Sequence, residues 1–140
     1  MGARVWFRLG HPRIEAAAVI VVWEGRLLLL RNSYRAEPSL PGGLLKRGET
    51  PAAGASRELA EEVGLVVAPT EFRFRETFPH EKWGARIRLH LFEWRAPRSP
   101  AVAIDRREVV EACFLPRAEV ARELPHFAEL LARLSEPGVW

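Results

Sequence analysis

The chain has 140 residues, 48% of them apolar and 28% charged, with a formal charge of +3 and a single cysteine, Cys113. Such proportions describe a soluble globular domain spanning residues 1–140, and the lone cysteine excludes an internal disulfide framework. The modest charge does not call for nucleic acid. Nineteen of the 21 basic residues are arginine, whose forks suit phosphate oxygens, although GC-biased coding produces the same excess.

Residues 4–9 are apolar enough for a short edge strand, ended by Gly10-His11-Pro12. Residues 16–23 and 26–31 are near-continuous apolar runs joined by Glu24-Gly25, which predicts a tight hairpin of strands covered on both faces. The apolar stretch is broken by Glu24-Gly25-Arg26 and too short to span a bilayer. The beginning of the chain has neither a myristoylation site nor a secretory pattern, so a cytoplasmic protein is expected. Residues 32–38 read as a polar loop, and Ser39-Leu40-Pro41-Gly42-Gly43 leads toward a helix.

That helix has defined ends. Thr50 is placed to cap it, Pro51 suits its first turn, and Gly64 stands where a left-handed cap belongs. Ala52, Ala55 or Ser56, Leu59 and Val63 form its apolar stripe. Gly54 in mid-helix is a local cost of about 0.5–1 kcal/mol relative to Ala. Beyond it, residues 71–78 and 85–94 predict two strands joined around 79–84, with Ile87, Leu89 and Leu91 inward and Arg86, Arg88 and His90 outward. Residues 95–107 read as a Pro-containing loop and 108–115 as a last strand. Residues 117–124 and 125–134 suit one helix, or two divided near Pro125. The order indicates an α/β fold, a mixed sheet between helices.

On the central helix, Glu58, Glu61 and Glu62 project to one side. Like charges so spaced repel by roughly 0.2–0.5 kcal/mol per pair, and Arg57, four residues before Glu61, offsets part of this. A structural helix gains nothing from the cluster. A helix that collects Mg²⁺ needs it, because that cation takes hard oxygens from carboxylates and substrate phosphates.

Residues 43–65 resemble the Nudix box, G-x5-E-x7-R-E-U-x-E-E-x-G-U with U aliphatic, the signature of the Nudix hydrolases. Gly43, Glu49, Arg57, Glu58, Leu59, Glu61, Glu62, Gly64 and Leu65 match every specified position. The resemblance implies the Nudix fold, an α/β/α sandwich. It also implies Mg²⁺- or Mn²⁺-dependent hydrolysis of a nucleoside diphosphate linked to another group X, giving NMP and P-X. Glu58, Glu61 and Glu62 would then be the metal ligands and catalytic carboxylates, joined by the Gly43 carbonyl. Glu49, Arg57, Gly42 and Gly64 would support the site. A homodimer is a family-level expectation.

The motif does not fix the general base. The resemblance implies either a glutamate of the box or a carboxylate on a later loop; Glu108 and Glu111, preceding Cys113-Phe114-Leu115-Pro116, are the later candidates for base or metal ligand, with Glu76 and Glu81 weaker. Arg31 and Arg35 flank the loop before the box and suit phosphate; Tyr34, Trp83, Phe92 and Trp94 suit either base stacking or core packing. His80, His90 and His126 lack ligand-like spacing. Pro79, fourteen residues after Leu65, is a near match to the ADP-ribose marker of the family. Lys82 and Trp83 stand where the dinucleoside-polyphosphate branch carries Tyr, and the coenzyme A signature is absent. ADP-ribose is therefore the first substrate expected. The alternatives are a (d)NTP or RNA 5′-end pyrophosphohydrolase and a non-catalytic nucleotide sensor.

Overall fold

The computed structural model describes residues 14–34, 36–82, 85–105 and 107–134. The strand expected over residues 4–9, Arg35 and Trp83 lie outside them. Six strands form one mixed sheet: β1 (Ile14–Trp23), β2 (Arg26–Asn32), β3 (Gly42–Leu44), β4 (Arg73–Lys82), β5 (Ala85–Arg95) and β6 (Val109–Pro116). Their order is β4-β5-β1-β2-β6, with β3 also paired to β1. Only β1 and β5 run parallel; the other pairs are antiparallel. Among the described residues three α-helices complete the order: α1 (Pro51–Val63), α2 (Arg117–Glu123) and α3 (Pro125–Leu134). None of the described helices is long and apolar enough to cross a membrane.

The apolar run of β1 is explained by two cores. Ala16, Ala18, Ile20 and Val22 join Ile87, Leu89 and Leu91 beneath Val120, Leu130 and Leu131 of the two later helices and Leu124 between them. Ala17, Val19 and Val21 point the other way, to Leu28, Leu30 and the Ala55–Leu59–Val63 stripe of α1. Alternation is preserved in direction but hidden in composition, because both faces are covered. The β1–β2 hairpin turns through Glu24 and Gly25, at φ 49° and 72°, a conformation suited to a two-residue turn between twisted strands.

The structure corrects three local expectations. Residues 79–82 belong to β4, where a connection was expected, and Pro79 pairs with Arg88. Because β4 is an edge strand, one side of it needs no backbone donor, and proline is tolerated there. Glu71 instead closes a 3-10 turn, Pro69–Glu71, and its carboxylate accepts the Ala68 N–H at 2.8 Å. His90, expected outward toward solvent, is largely covered, with Nε2 2.8 Å from Glu15 Oε1 and Nδ1 2.8 Å from Thr77 Oγ1. Leu124 separates α2 from α3 just before Pro125, so the last helical region is two helices.

Candidate active site

The capping of α1 follows the sequence. Thr50 Oγ1 accepts the Ala53 N–H at 3.2 Å, Pro51 occupies the first turn, and Gly64 ends the helix at φ 70°, donating its N–H to Ala60 O. Gly54 is buried where the helix meets the preceding loop: a Cβ there would collide with Leu45 Cδ2 and lie 3.1 Å from Glu49 Oε1. The mid-helix glycine thus lies against the Leu45 and Glu49 side chains of the loop that precedes the helix.

Strand β3 threads between β1 and the acids of α1. A Cβ on Gly42 would run into the Ala17 carbonyl oxygen, and a Cβ on Gly43 would lie 2.7 Å from the Glu58 carboxylate. The Gly42 N–H donates to Glu62 Oε1 at 2.7 Å. Two glycines therefore permit one approach each, the first to the sheet and the second to an acid.

Arg57 holds the acidic surface together. Nε and Nη2 donate to the two oxygens of Glu49 at 2.8 and 2.9 Å, and Nη1 donates to Glu58 Oε1 at 2.8 Å and Glu61 Oε2 at 3.2 Å. Nη2 also donates to the Leu44 carbonyl at 3.1 Å. The bond to Glu61 expected from helical spacing exists, but the fork to Glu49 is the shorter contact. The Arg57 fork, helped by the Lys46 N–H, lowers the Glu49 pKa to about 2 against the opposing effect of burial. Burial pushes the Glu58 carboxyl up despite Arg57. It raises Glu62 from 4.5 to about 8, the charges of Glu58, Glu108 and Glu61 adding to the rise and the Gly42 N–H opposing it.

Two hollows share Glu62. One, of about 480 Å³, is lined by Glu58, Glu61, Glu62, Asp105, Arg107, Glu108 and Val109. The other, of about 120 Å³, has Ala16, Ala17 and Ala18 in its wall, with Leu40, Leu89, Leu124 and Phe127, and a polar margin that includes Tyr34, Asn32, Ser39, Glu37 and His80. Asn32 Nδ2 donates to Ser39 Oγ at 3.1 Å within that margin.

Among the described residues, no three His, Cys, Asp or Glu side chains are gathered in a metal-holding arrangement. Glu58 Oε1 is engaged by Arg57 and Glu62 Oε1 by the Gly42 N–H. The donor set nonetheless fits a hard dication: three glutamates of α1 line one hollow, and burial raises the pKa of two of them, Glu58 and Glu62, against the opposing contacts of Arg57 and the Gly42 N–H.

The remaining sequence candidates separate. Glu108 lines the acidic hollow, whereas Glu111 lies 3.9 Å from Arg31 and lines neither hollow. Arg31 also lies 3.7 Å from Glu123, away from both hollows, while Tyr34 borders the apolar one. Phe92 is buried in the core and Trp94 packs against it. Pro79 borders a third hollow, with Arg86 and Arg88. Sequence reasoning missed Asp105 and Arg107, although the charged run Asp105-Arg106-Arg107-Glu108 just before the last strand was a visible signal.

The family comparison matches the NUDIX domain over residues 12–134. The chain belongs to the NUDIX family. Among curated relatives of this NUDIX chain, a MutT-like protein of Streptomyces ambofaciens is 41% identical over 58 residues, 41% of the chain and 38% of that protein. The NAD-capped RNA hydrolase NudC of Chromobacterium violaceum is 36% identical over 72 residues, 49% of the chain and 27% of that protein. The matches thus span about a third of the curated relatives' own length. The NUDIX fold is shared with the MutT protein from Methanosarcina mazei Go1, with TM-score 0.72 and 21% identity, covering 89% of this chain and 96% of that one. It is shared also with a bifunctional NMN adenylyltransferase/ADP ribose pyrophosphatase from Francisella tularensis, complexed with AMP and a manganese ion. That match has TM-score 0.72 and 17% identity, covering 95% of this chain and 45% of that one.

Proposed function

We propose that this NUDIX domain, residues 1–140, is a Mg²⁺- or Mn²⁺-dependent pyrophosphohydrolase that cuts a diphosphate bond in a nucleoside diphosphate joined to another group. The observation that carries the reading is the sharing of Glu62 between an acidic hollow and a second one whose wall is apolar and whose margin is polar. A nucleoside fits the apolar side, with Tyr34 at its margin, while its phosphates reach the acids. The Francisella relative, complexed with AMP and manganese, supports the pairing of a nucleotide with a hard dication.

Glu58, Glu61 and Glu62, with the Gly43 carbonyl, would hold the metal, which when bound neutralises phosphate charge and lowers the pKa of coordinated water. Arg57 orients Glu58 and Glu61 while its fork to Glu49 fixes the loop end. Glu108 is the favoured proton acceptor, because it lines the acidic hollow and Glu111 does not. The hollow bordered by Pro79 shares Ile87 with the smaller hollow and no residue with the acidic one, so that proline stands on the nucleoside side of the site and away from the acids.

The test is turnover of a nucleotide panel with Mg²⁺, following release of phosphate-containing products. EDTA is expected to abolish it. Glu61→Gln and Glu62→Gln are expected to lower kcat by on the order of 10³-fold, the scale of removing a charge-stabilising group. Equal rates in wild type and both variants would remove these residues from the reaction.

A further inference from the structure

Arg107 lines the acidic hollow with Glu58, Glu61, Glu62, Asp105 and Glu108, yet among the described residues its guanidinium makes no hydrogen bond or ion pair. An arginine in such company would ordinarily close its fork on one carboxylate. Its backbone, by contrast, is held. The Arg107 N–H donates to Asp105 Oδ1 at 2.9 Å, and its carbonyl accepts the Ser33 hydroxyl at 3.0 Å. The neighbouring Glu108 carbonyl accepts the Ser33 N–H at 2.8 Å. Ser33 also precedes Tyr34, so the same bonds tie the edge of the apolar hollow to the loop that carries Arg107.

We propose that Arg107 receives a free terminal phosphate of the substrate, so that the preferred substrates carry a 5′-triphosphate instead of a diphosphate ended by a neutral sugar. This rests on the proposed function, in which the nucleoside occupies the apolar hollow and the phosphates pass Glu62. A chain running that way enters the acidic hollow, where the carboxylates engage it only through bound dications and Arg107 engages it directly. A third phosphate supplies oxygens matched to the guanidinium fork. A neutral sugar supplies no charge to pair with it.

The decisive measurement is calorimetric titration of the whole chain with manganese tripolyphosphate and manganese pyrophosphate, alongside Mn²⁺ alone. Wild type is expected to bind tripolyphosphate roughly tenfold or more tightly than pyrophosphate, the scale of one charge-assisted contact. Arg107→Ala should erase that preference, Arg107→Lys should keep part of it, and all three proteins should bind Mn²⁺ alike. Arg107 is exposed, so neither variant disturbs a core. A preference that survives in Arg107→Ala, or a wild type without one, overturns the proposal. A wild type that shows the Arg107-dependent preference but turns over no nucleotide overturns the hydrolase reading alone. Competition by ATP against a 5′-triphosphorylated oligoribonucleotide then tells a free nucleotide from an RNA end, and competition by either through Arg107 supports the assignment.

Discussion

Arg57 and Glu49 meet as a two-pronged pair, Nε to Oε2 at 2.8 Å and Nη2 to Oε1 at 2.9 Å, with both side chains largely covered. Their contact closes the loop that follows β3 onto the helix that carries the acids. Lysine can keep the charge but not the fork. Arg57→Lys should therefore destabilise by roughly 1–3 kcal/mol, the range for hydrogen bonds to charged groups. Urea unfolding in EDTA measures it as a lower midpoint with an unchanged slope. An unaltered midpoint would show that the fork holds nothing.

The two extreme carboxyls predict opposite pH effects on the metal-free protein. Glu62 is raised from 4.5 to about 8, so between those values the native state holds a proton that the unfolded chain has lost. Stability from this group is present below pH 4.5 and is lost as pH rises toward 8. Glu49 is lowered to about 2, so its contribution is present above pH 4.5 and is lost as pH falls toward 2. Urea midpoints in EDTA should therefore decline from pH 5 to 8 in wild type and decline less in Glu62→Gln. Mg²⁺, which requires the deprotonated carboxylate, should bind more tightly over the same interval. Parallel pH profiles for the two proteins would contradict the burial of Glu62 as their cause.

Gly42 and Gly43 should fail differently when replaced. Alanine at Gly42 meets the backbone oxygen of Ala17 and must adopt φ 154°, a strain of roughly 1–3 kcal/mol before any collision is counted. At Gly43 the three atoms nearest an added Cβ all belong to the Glu58 carboxylate, the end of a side chain. Gly42→Ala is expected to lower the melting temperature by several degrees, whereas Gly43→Ala should melt near wild type but bind Mn²⁺ more weakly. Melting curves and manganese titration separate the cases, and a melting loss in Gly43→Ala as large as in Gly42→Ala would refute the distinction.

Gly54 supplies a sign reversal. In an open helix Gly→Ala gains about 0.5–1 kcal/mol. Here the added methyl collides with Leu45 Cδ2, so Gly54→Ala should destabilise. In a Leu45→Ala background the obstruction is gone, and the same change should stabilise. A double-mutant cycle by urea unfolding checks this, and additivity within about 0.5 kcal/mol would dismiss the contact as its reason.

The capped helix and its acids were legible in the sequence because each depends on local spacing: Thr50, Pro51 and Gly64 act on their own turns, and Glu58, Glu61 and Glu62 share a face by period alone. The strands of the first hairpin were legible as apolar runs. Contacts at long sequence separation were not. Nothing in the spacing of Glu62 and Gly42, or of Ser33 and the loop at 107–108, tells that β3 lies beside α1 or that the two loops touch. The connection expected at residues 79–84 missed the end of β4 for a related reason: whether a proline is tolerated in a strand depends on that strand's place in the sheet order. Gly54, a local cost on paper, was a tertiary requirement.

Strand β1 changes partner along one edge, pairing with β3 through Ala16, Ala17 and Ala18 and with β2 through Val22 and Trp23. The three alanines thus stand at a fork in the sheet and also form part of the wall of the smaller hollow. Ala16 and Ala18 share their face with Leu89 and Leu124 of that wall, so a larger side chain at either takes room from the hollow, whereas Ala17 faces the stripe of α1. The size of that hollow can accordingly change at these two positions while the carboxylates of α1 stay in place.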